Sequence, residues 1–219
     1  MEQKTPFKDL STKAKFQYIW DYYRFPILGA ALGIILVVSF IVHLVTYKKP
    51  VLTLTFVNCG VDTNDNTIPD SLSPFMSENG YDTSKYTIDL NKNLYLNMET
   101  LDAETSQDLT TLDVMIGAHS ISAIFADTDT FDALAERSYF VNISSYLSDD
   151  ELAQHQDDLV YTTDPDTDQA YPVGIHLTSD TCSWLKDTQT TYDDCVVGLC
   201  YEEDNDDALK QFMHFLLEE

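Results

Sequence analysis

Basic residues are scarce in the last three-quarters of this chain. From Val51 onward only Lys85, Lys92, Arg137, Lys186 and Lys210 oppose 34 Asp and Glu, a net of −29. A surface of that sign repels nucleic acid and anionic membranes. No nucleic-acid partner is expected; cations, neutral solutes or a basic protein partner suit it.

Charge of either sign is missing from Phe25 to Tyr47, which hold 23 residues without one Asp, Glu, Lys or Arg. At about 1.5 Å per residue a helix there spans about 34 Å, enough for a bilayer core of about 30 Å. The stretch predicts a single transmembrane helix over 25–47. It divides the chain into a tail, 1–24, and an acidic domain, 51–219. No small-x-small cleavage site follows the span, and the run is longer than the apolar core of a cleaved signal peptide, so an uncleaved signal anchor is predicted. Phe-Val-Asn before Cys59 does not form a lipoprotein attachment site. Lys8, Lys13, Lys15 and Arg24 precede the span and only Lys48 and Lys49 follow closely. That bias predicts a cytoplasmic N-terminus and an extracellular acidic domain at the cell membrane.

Signatures of catalysis are also missing. The chain has no Gly-x-Ser-x-Gly, no Walker-type loop and no Cys-x-x-Cys. His119, His155, His176 and His214 keep no zinc-like spacing to one another or to cysteine. A non-enzymatic protein without cofactor is expected. Cys59, Cys182, Cys195 and Cys200 permit two disulfides or four thiols. A Cys195–Cys200 bridge is disfavoured: in a strand they sit about 16 Å apart on opposite faces, beyond the limit of about 7 Å.

The tail crowds Phe16, Tyr18, Trp20, Tyr22 and Tyr23 among Lys13, Lys15 and Arg24. Rings and cations together predict a belt at the headgroup layer, or a docking helix for a cytoplasmic partner. His43, near the outer end of the span, has no second ionisable group to pair with there and reads as a neutral residue.

Beyond Pro50 the pattern turns to period two. Leu52, Leu54 and Phe56 alternate with Thr53 and Thr55, predicting a strand over Val51–Val57. A short helix over Pro69–Glu78 should stop at Asn79-Gly80. Strands are predicted at Tyr86–Leu90, Leu112–Gly117, Leu159–Tyr161, Tyr171–Ile175 and Cys195–Cys200. Helices are predicted over Met98–Leu109 and Asp129–Arg137, after the capping box Ser148-Asp-Asp-Glu151, and at the C-terminus with Leu209, Phe212, Met213 and Leu216 on one stripe. Alternating strands and helices predict an α/β layer structure.

Three runs carry a resemblance: Leu112-Asp-Val-Met-Ile-Gly117, the stretch Phe125 to Ala135, and Tyr139-Phe-Val-Asn-Ile-Ser-Ser-Tyr-Leu147. With the final strand and helix, they resemble bacterial extracellular solute-binding proteins over roughly Val51–Glu219. The resemblance implies a periplasmic-binding-protein-like α/β sandwich that binds a small-molecule solute or a protein partner. Such proteins have two lobes that close on ligand. Here only the 17 residues Thr178–Asp194 separate the crossover element from the returning strand. A single lobe is expected, and with it a tethered binding module or an accessory subunit of a transporter-associated membrane complex.

Open α/β sheets bind ligands at the carboxyl ends of their strands. With the predicted strands, that crevice is lined by Asn58, Cys59, Gly60, Gly117, Ala118, His119, Asp127 and Asp129. A weak calcium candidate is Asp164, Asp166 and Asp168, which open like a calcium loop but lack its Gly at position 6 and Glu at position 12. The competing reading is an acidic turn between two strands.

Overall fold

The computed structural model describes residues 11–58, 72–100, 102–164, 167–178, 194–200 and 206–217. The chain divides into two compact units, Met1–Tyr47 and Lys48–Glu219.

The first unit is the helix α1 (Thr12–Thr46), 35 residues long. Its segment Lys15–Thr46 is long and apolar enough to cross a membrane. The helix starts well before the predicted 25–47, because the aromatic tail continues its periodicity. Phe16, Ile19, Trp20 and Tyr23 fall at i, i+3, i+4 and i+7 and share one exposed face. On another face Tyr18 stacks on Tyr22 at 5.5 Å. Pro26 sits inside the helix.

The second unit is a six-stranded mixed sheet. The strands are β1 (Lys49–Val57), β2 (Tyr86–Leu94), β3 (Ala123–Ala126), β4 (Leu159–Thr163), β5 (Ala170–Thr178) and β6 (Asp194–Leu199). Their order is β2-β1-β3-β6-β5-β4. β1 is parallel to both β2 and β3. The rest pair antiparallel: β3 with β6, β6 with β5, and β5 with β4. Pro172 fits inside β5 because Val173 is an extra residue there: Val160 pairs Gly174, and Tyr161 pairs Pro172.

Apolar residues alternate to opposite faces of the sheet and build two cores. Helices α2 (Ser73–Glu78) and α6 (Asp206–Leu217) cover one face. Phe75 and Met76 meet Leu209, Phe212, Met213 and Leu216 there, above Leu54, Phe125 and Val197. Helices α3 (Ala103–Gly117) and α4 (Thr128–Ala135) cover the other. Leu109, Leu112, Phe131 and Leu134 pack there against Val57, Ile124 and Val196. Gly174 and Gly198 are required beneath α4, since a Cβ at either would lie within 2.9 Å of the Phe131 ring. Cys195 and Cys200 are buried in the two different cores, on opposite faces as expected. Cys59 and Cys182 lie outside the described residues.

Several local signals act as written. Asn79 caps α2 through its Nδ2 donating to the Phe75 carbonyl at 2.9 Å, and Gly80 follows with φ +75°. Helix α5 (Asp149–Gln154) carries the Ser148–Glu151 capping box.

One element differs. Leu112–Gly117 is not a strand but the last turns of α3. Asp102 caps this helix, and Thr105, Leu109 and Leu112 bury at helical spacing. Val114, apolar as it is, stays 66% exposed. The central strand is Ala123–Ala126, whose four residues are all buried.

Candidate functional site

Crossovers run from β1 through α2 to β2 on one face, and from β2 through α3 to β3 on the other. The chain thus leaves the adjacent strands β1 and β3 in opposite directions. A crevice opens at such a switch point, beyond the carboxyl ends of the strands.

Asn58 ends β1 with φ +58°, a left-handed conformation that Asn tolerates better than most residues. Its side chain ties three elements together. Oδ1 accepts from the Leu96 N–H at 2.7 Å, and Nδ2 donates to the Leu96 carbonyl at 2.9 Å. Nδ2 also reaches Thr130 Oγ1 at 3.1 Å and Asp127 Oδ2 at 3.4 Å. Asp127 ends β3 and caps α4, with Oδ1 accepting from the Thr130 N–H at 3.0 Å and Oδ2 from the Thr130 hydroxyl at 2.8 Å. On the far side Asp102 caps α3, accepting from the Thr105 N–H at 2.8 Å. The segment after β2 is strapped down on α3: Asn97 N–H donates to Thr105 Oγ1 at 2.9 Å, and Tyr95 N–H to Asp108 Oδ2 at 2.8 Å.

These elements enclose a cleft of about 590 Å³. Leu96, Met98 and Tyr95 give it apolar surface, and Glu99, Asp102, Glu104, Asp127 and Asp129 line it with carboxylates. Among the described residues that line it, none is basic. Both helix N-termini at the cleft are already matched by their own Asp caps. The Thr105 N–H and hydroxyl hold the Asp102 carboxyl below its ordinary range. The surplus negative charge comes from Glu99, Glu104 and Asp129. The arrangement suits an amine or a guanidinium with an apolar body, and opposes an anion.

Of the sequence candidates, Asn58, Asp127 and Asp129 line this cleft. Cys59 and Gly60 lie outside the described residues. Gly117 and His119 do not join it. They end α3, whose N-terminus is at the cleft, and 15 residues of helix carry them about 20 Å away. Ala118 is the C-cap, and His119 follows with φ +52°, terminating the helix with its N–H on the Ile116 carbonyl.

In the turn between β4 and β5, Asp164 Oδ1 accepts from the Thr167 N–H at 3.2 Å, and the Asp168 N–H bonds the Asp164 carbonyl at 2.9 Å. Asp168 has φ +56°. Asp166 lies outside the described residues. Among the described residues no three His, Cys, Asp or Glu are placed to hold a metal ion.

Sequence reasoning did not single out Glu99, Asp102, Glu104, Met98 and Thr130. The signal that would have found the acids is the cap: Asp102 three residues before Thr105, at the start of a buried 3.6-residue period. Comparison of the chain with family models, with curated proteins and with solved structures gives no match.

Proposed function

We propose that this is a single-pass membrane protein, N-terminus inside, that holds a one-lobe acidic α/β domain outside the cell as a non-catalytic binding module. Its ligand is a cation-bearing solute or a basic segment of a partner, taken up at the strand-end cleft. The observation that carries this reading is the cleft itself: a switch-point crevice of about 590 Å³ whose described lining residues include five carboxylates and no basic residue. The acidic excess beyond Val51 supports it by concentrating cations near the mouth. The lysine and arginine bias around the span supports the orientation.

The test is a thermal-shift series on the full-length protein in zwitterionic nanodiscs. The additives are arginine, lysine, spermidine, calcium and a neutral sugar. A ligand at about 100 times its Kd should stabilise the native state by about 2.7 kcal/mol. The expected result is a rise with one of the cations that disappears in the double variant Glu99→Gln, Asp129→Asn. No shift with any cation sinks the reading.

A second reading is favoured by a different observation: Phe16, Ile19, Trp20 and Tyr23 form one exposed face on α1. That face suits an accessory subunit that joins a membrane complex through residues 12–46. Photocrosslinking from Trp20 in cells separates the two, since only this reading predicts a discrete protein adduct there.

A further inference from the structure

Among the described residues the sheet has two outer strands, β2 and β4, and they differ in how they guard their edges. An unpaired strand edge invites another strand, and natural edges are protected by lysine, proline or an inward-pointing charge. β2 carries Lys92, buried against the Phe56 ring, together with Asp89. β4 reads Leu-Val-Tyr-Thr-Thr, with no charge and no proline. The bulge in the β4–β5 pair falls in β5, so β4 itself stays regular.

Beside this unguarded edge runs a groove of about 560 Å³ between β4 and the C-terminal half of α4. One wall bears Asp132 and Glu136, one helical turn apart; the other bears Tyr161 and Tyr171. Tyr161 is 51% exposed. The neighbouring cation, Arg137, is turned elsewhere: its Nε donates to the Tyr139 hydroxyl at 2.9 Å, and its Nη2 lies 3.3 Å from Asp113 Oδ2. Burial, with the nearby charges of Asp129 and Glu136, raises the Asp132 carboxyl above its ordinary range. An incoming cation would relieve that repulsion, and Tyr171, on the α4 side of the sheet with Val160, offers apolar surface for its alkyl stem.

We propose that the outer edge of β4 is a docking strip for an extended, lysine- or arginine-bearing polypeptide segment. The segment adds to the sheet as a further strand and places a basic side chain beside Asp132, Glu136 and Tyr171. Backbone hydrogen bonds supply affinity and the groove supplies selection. This surface is separate from the strand-end cleft and does not depend on it.

The probe is a fluorescein-labelled octapeptide, Lys-Thr-Lys-Val-Lys-Thr-Lys-Val, titrated by anisotropy onto full-length protein in zwitterionic nanodiscs. Its control is the same peptide N-methylated at every residue, which keeps the charge and removes the strand donors. Saturable binding is expected, weakened at least about tenfold by N-methylation and about tenfold by Asp132→Asn with Glu136→Gln. Both substituted side chains are exposed, and an unchanged circular dichroism spectrum confirms that the fold survives. The cleft pair Glu99→Gln, Glu104→Gln should leave peptide affinity as it was. An absence of saturable binding overturns the proposal. So does a methylated peptide that binds within about twofold of its parent, because attraction to net charge alone then explains the result. A loss caused by the cleft pair rather than by the groove pair also overturns it, and moves the peptide to the strand ends.

Discussion

Asn58 and Leu96 exchange two hydrogen bonds across the carboxyl ends of β1 and β2. One is the Leu96 N–H to Oδ1 at 2.7 Å, the other Nδ2 to the Leu96 carbonyl at 2.9 Å. A side-chain amide thus continues the ladder one step beyond the strand and forms the floor of the cleft. Asn58→Ala removes these bonds, leaves Leu96 groups unsatisfied and puts Ala at φ +58°. The expected loss is about 2–4 kcal/mol. Asn58→Gly should recover about 1 kcal/mol of it, because glycine accepts that backbone. Urea titration followed by far-ultraviolet circular dichroism measures both. Equal losses for Ala and Gly would remove backbone strain from the account.

Phe131 lies flat against Phe140, centroids 4.2 Å apart, over the two glycines of β5 and β6. A Cβ at Gly198 would come to 2.6 Å from Phe140 Cδ1, and one at Gly174 to 2.5 Å from Phe131 Cζ. Gly198→Ala and Gly174→Ala should each destabilise by about 1–3 kcal/mol through overpacking. The partner change Phe131→Leu should reduce the penalty of either, seen as a positive coupling in a double-mutant cycle.

The helix α3 can be tested against the strand that its apolar run imitates. Leu112 is fully buried, and Val114, two residues on, is exposed. In a strand the two would share a face; in this helix they do not. Leu112→Ala should cost about 2–5 kcal/mol. Val114→Lys should stay within about 0.5 kcal/mol of the parent. Comparable losses at both positions would return the segment to a strand.

Acid should act on the α5–α6 contact. Burial alone would raise the Glu151 carboxyl, but hydrogen bonds from Ser148 and His214 outweigh burial and hold it below its ordinary 4.5. His214 Nδ1 lies 2.7 Å from Glu151 Oε1. A carboxyl held low in the folded state favours folding above its unfolded value. That contribution is lost as pH falls below about 4.5 toward the folded value. Asp89 and Asp132, raised by burial, work in the opposite sense. The difference between parent and Glu151→Gln isolates the one group: it should be constant from pH 6 to about 5 and shrink below about 4.5. Denaturation midpoints across that range measure it, and a difference independent of pH would refute the assignment.

Legibility in the sequence followed the range of the forces involved. Signals written within one turn or one strand were readable: the Asn79-Gly80 stop, the Ser148–Glu151 box, the alternation of β1, the stripe of α6. Leu112–Gly117 misled because consecutive apolar residues fit a buried strand and the end of a half-buried helix alike. The choice belongs to Asp102 and Thr105, ten residues upstream. β3 was hidden for the opposite reason. Four residues buried on both faces show no alternation. Shifting that strand by eleven residues moved the predicted crevice off Gly117 and His119, while Asn58 and Asp127 kept their places because each ends or caps an element whatever its neighbour. The acids Glu99, Asp102 and Glu104 come from the segment after β2 and the start of α3. Only the parallel pairing of distant strands brings them to Asp127.

The position of β3 has a consequence in time. Its four residues join the parallel half of the sheet to the antiparallel half. One side is filled by β1, and the other waits for β6, about seventy residues later in the chain. Pairings so distant in sequence form slowly. As the chain is synthesised, every strand but one arrives while the middle of the sheet is still open. The sheet can close only when Val196 to Leu199 have been made. A stall or truncation before that point leaves Phe125 and its neighbours without their cover, so the stretch from β6 onward governs whether everything before it folds or is degraded.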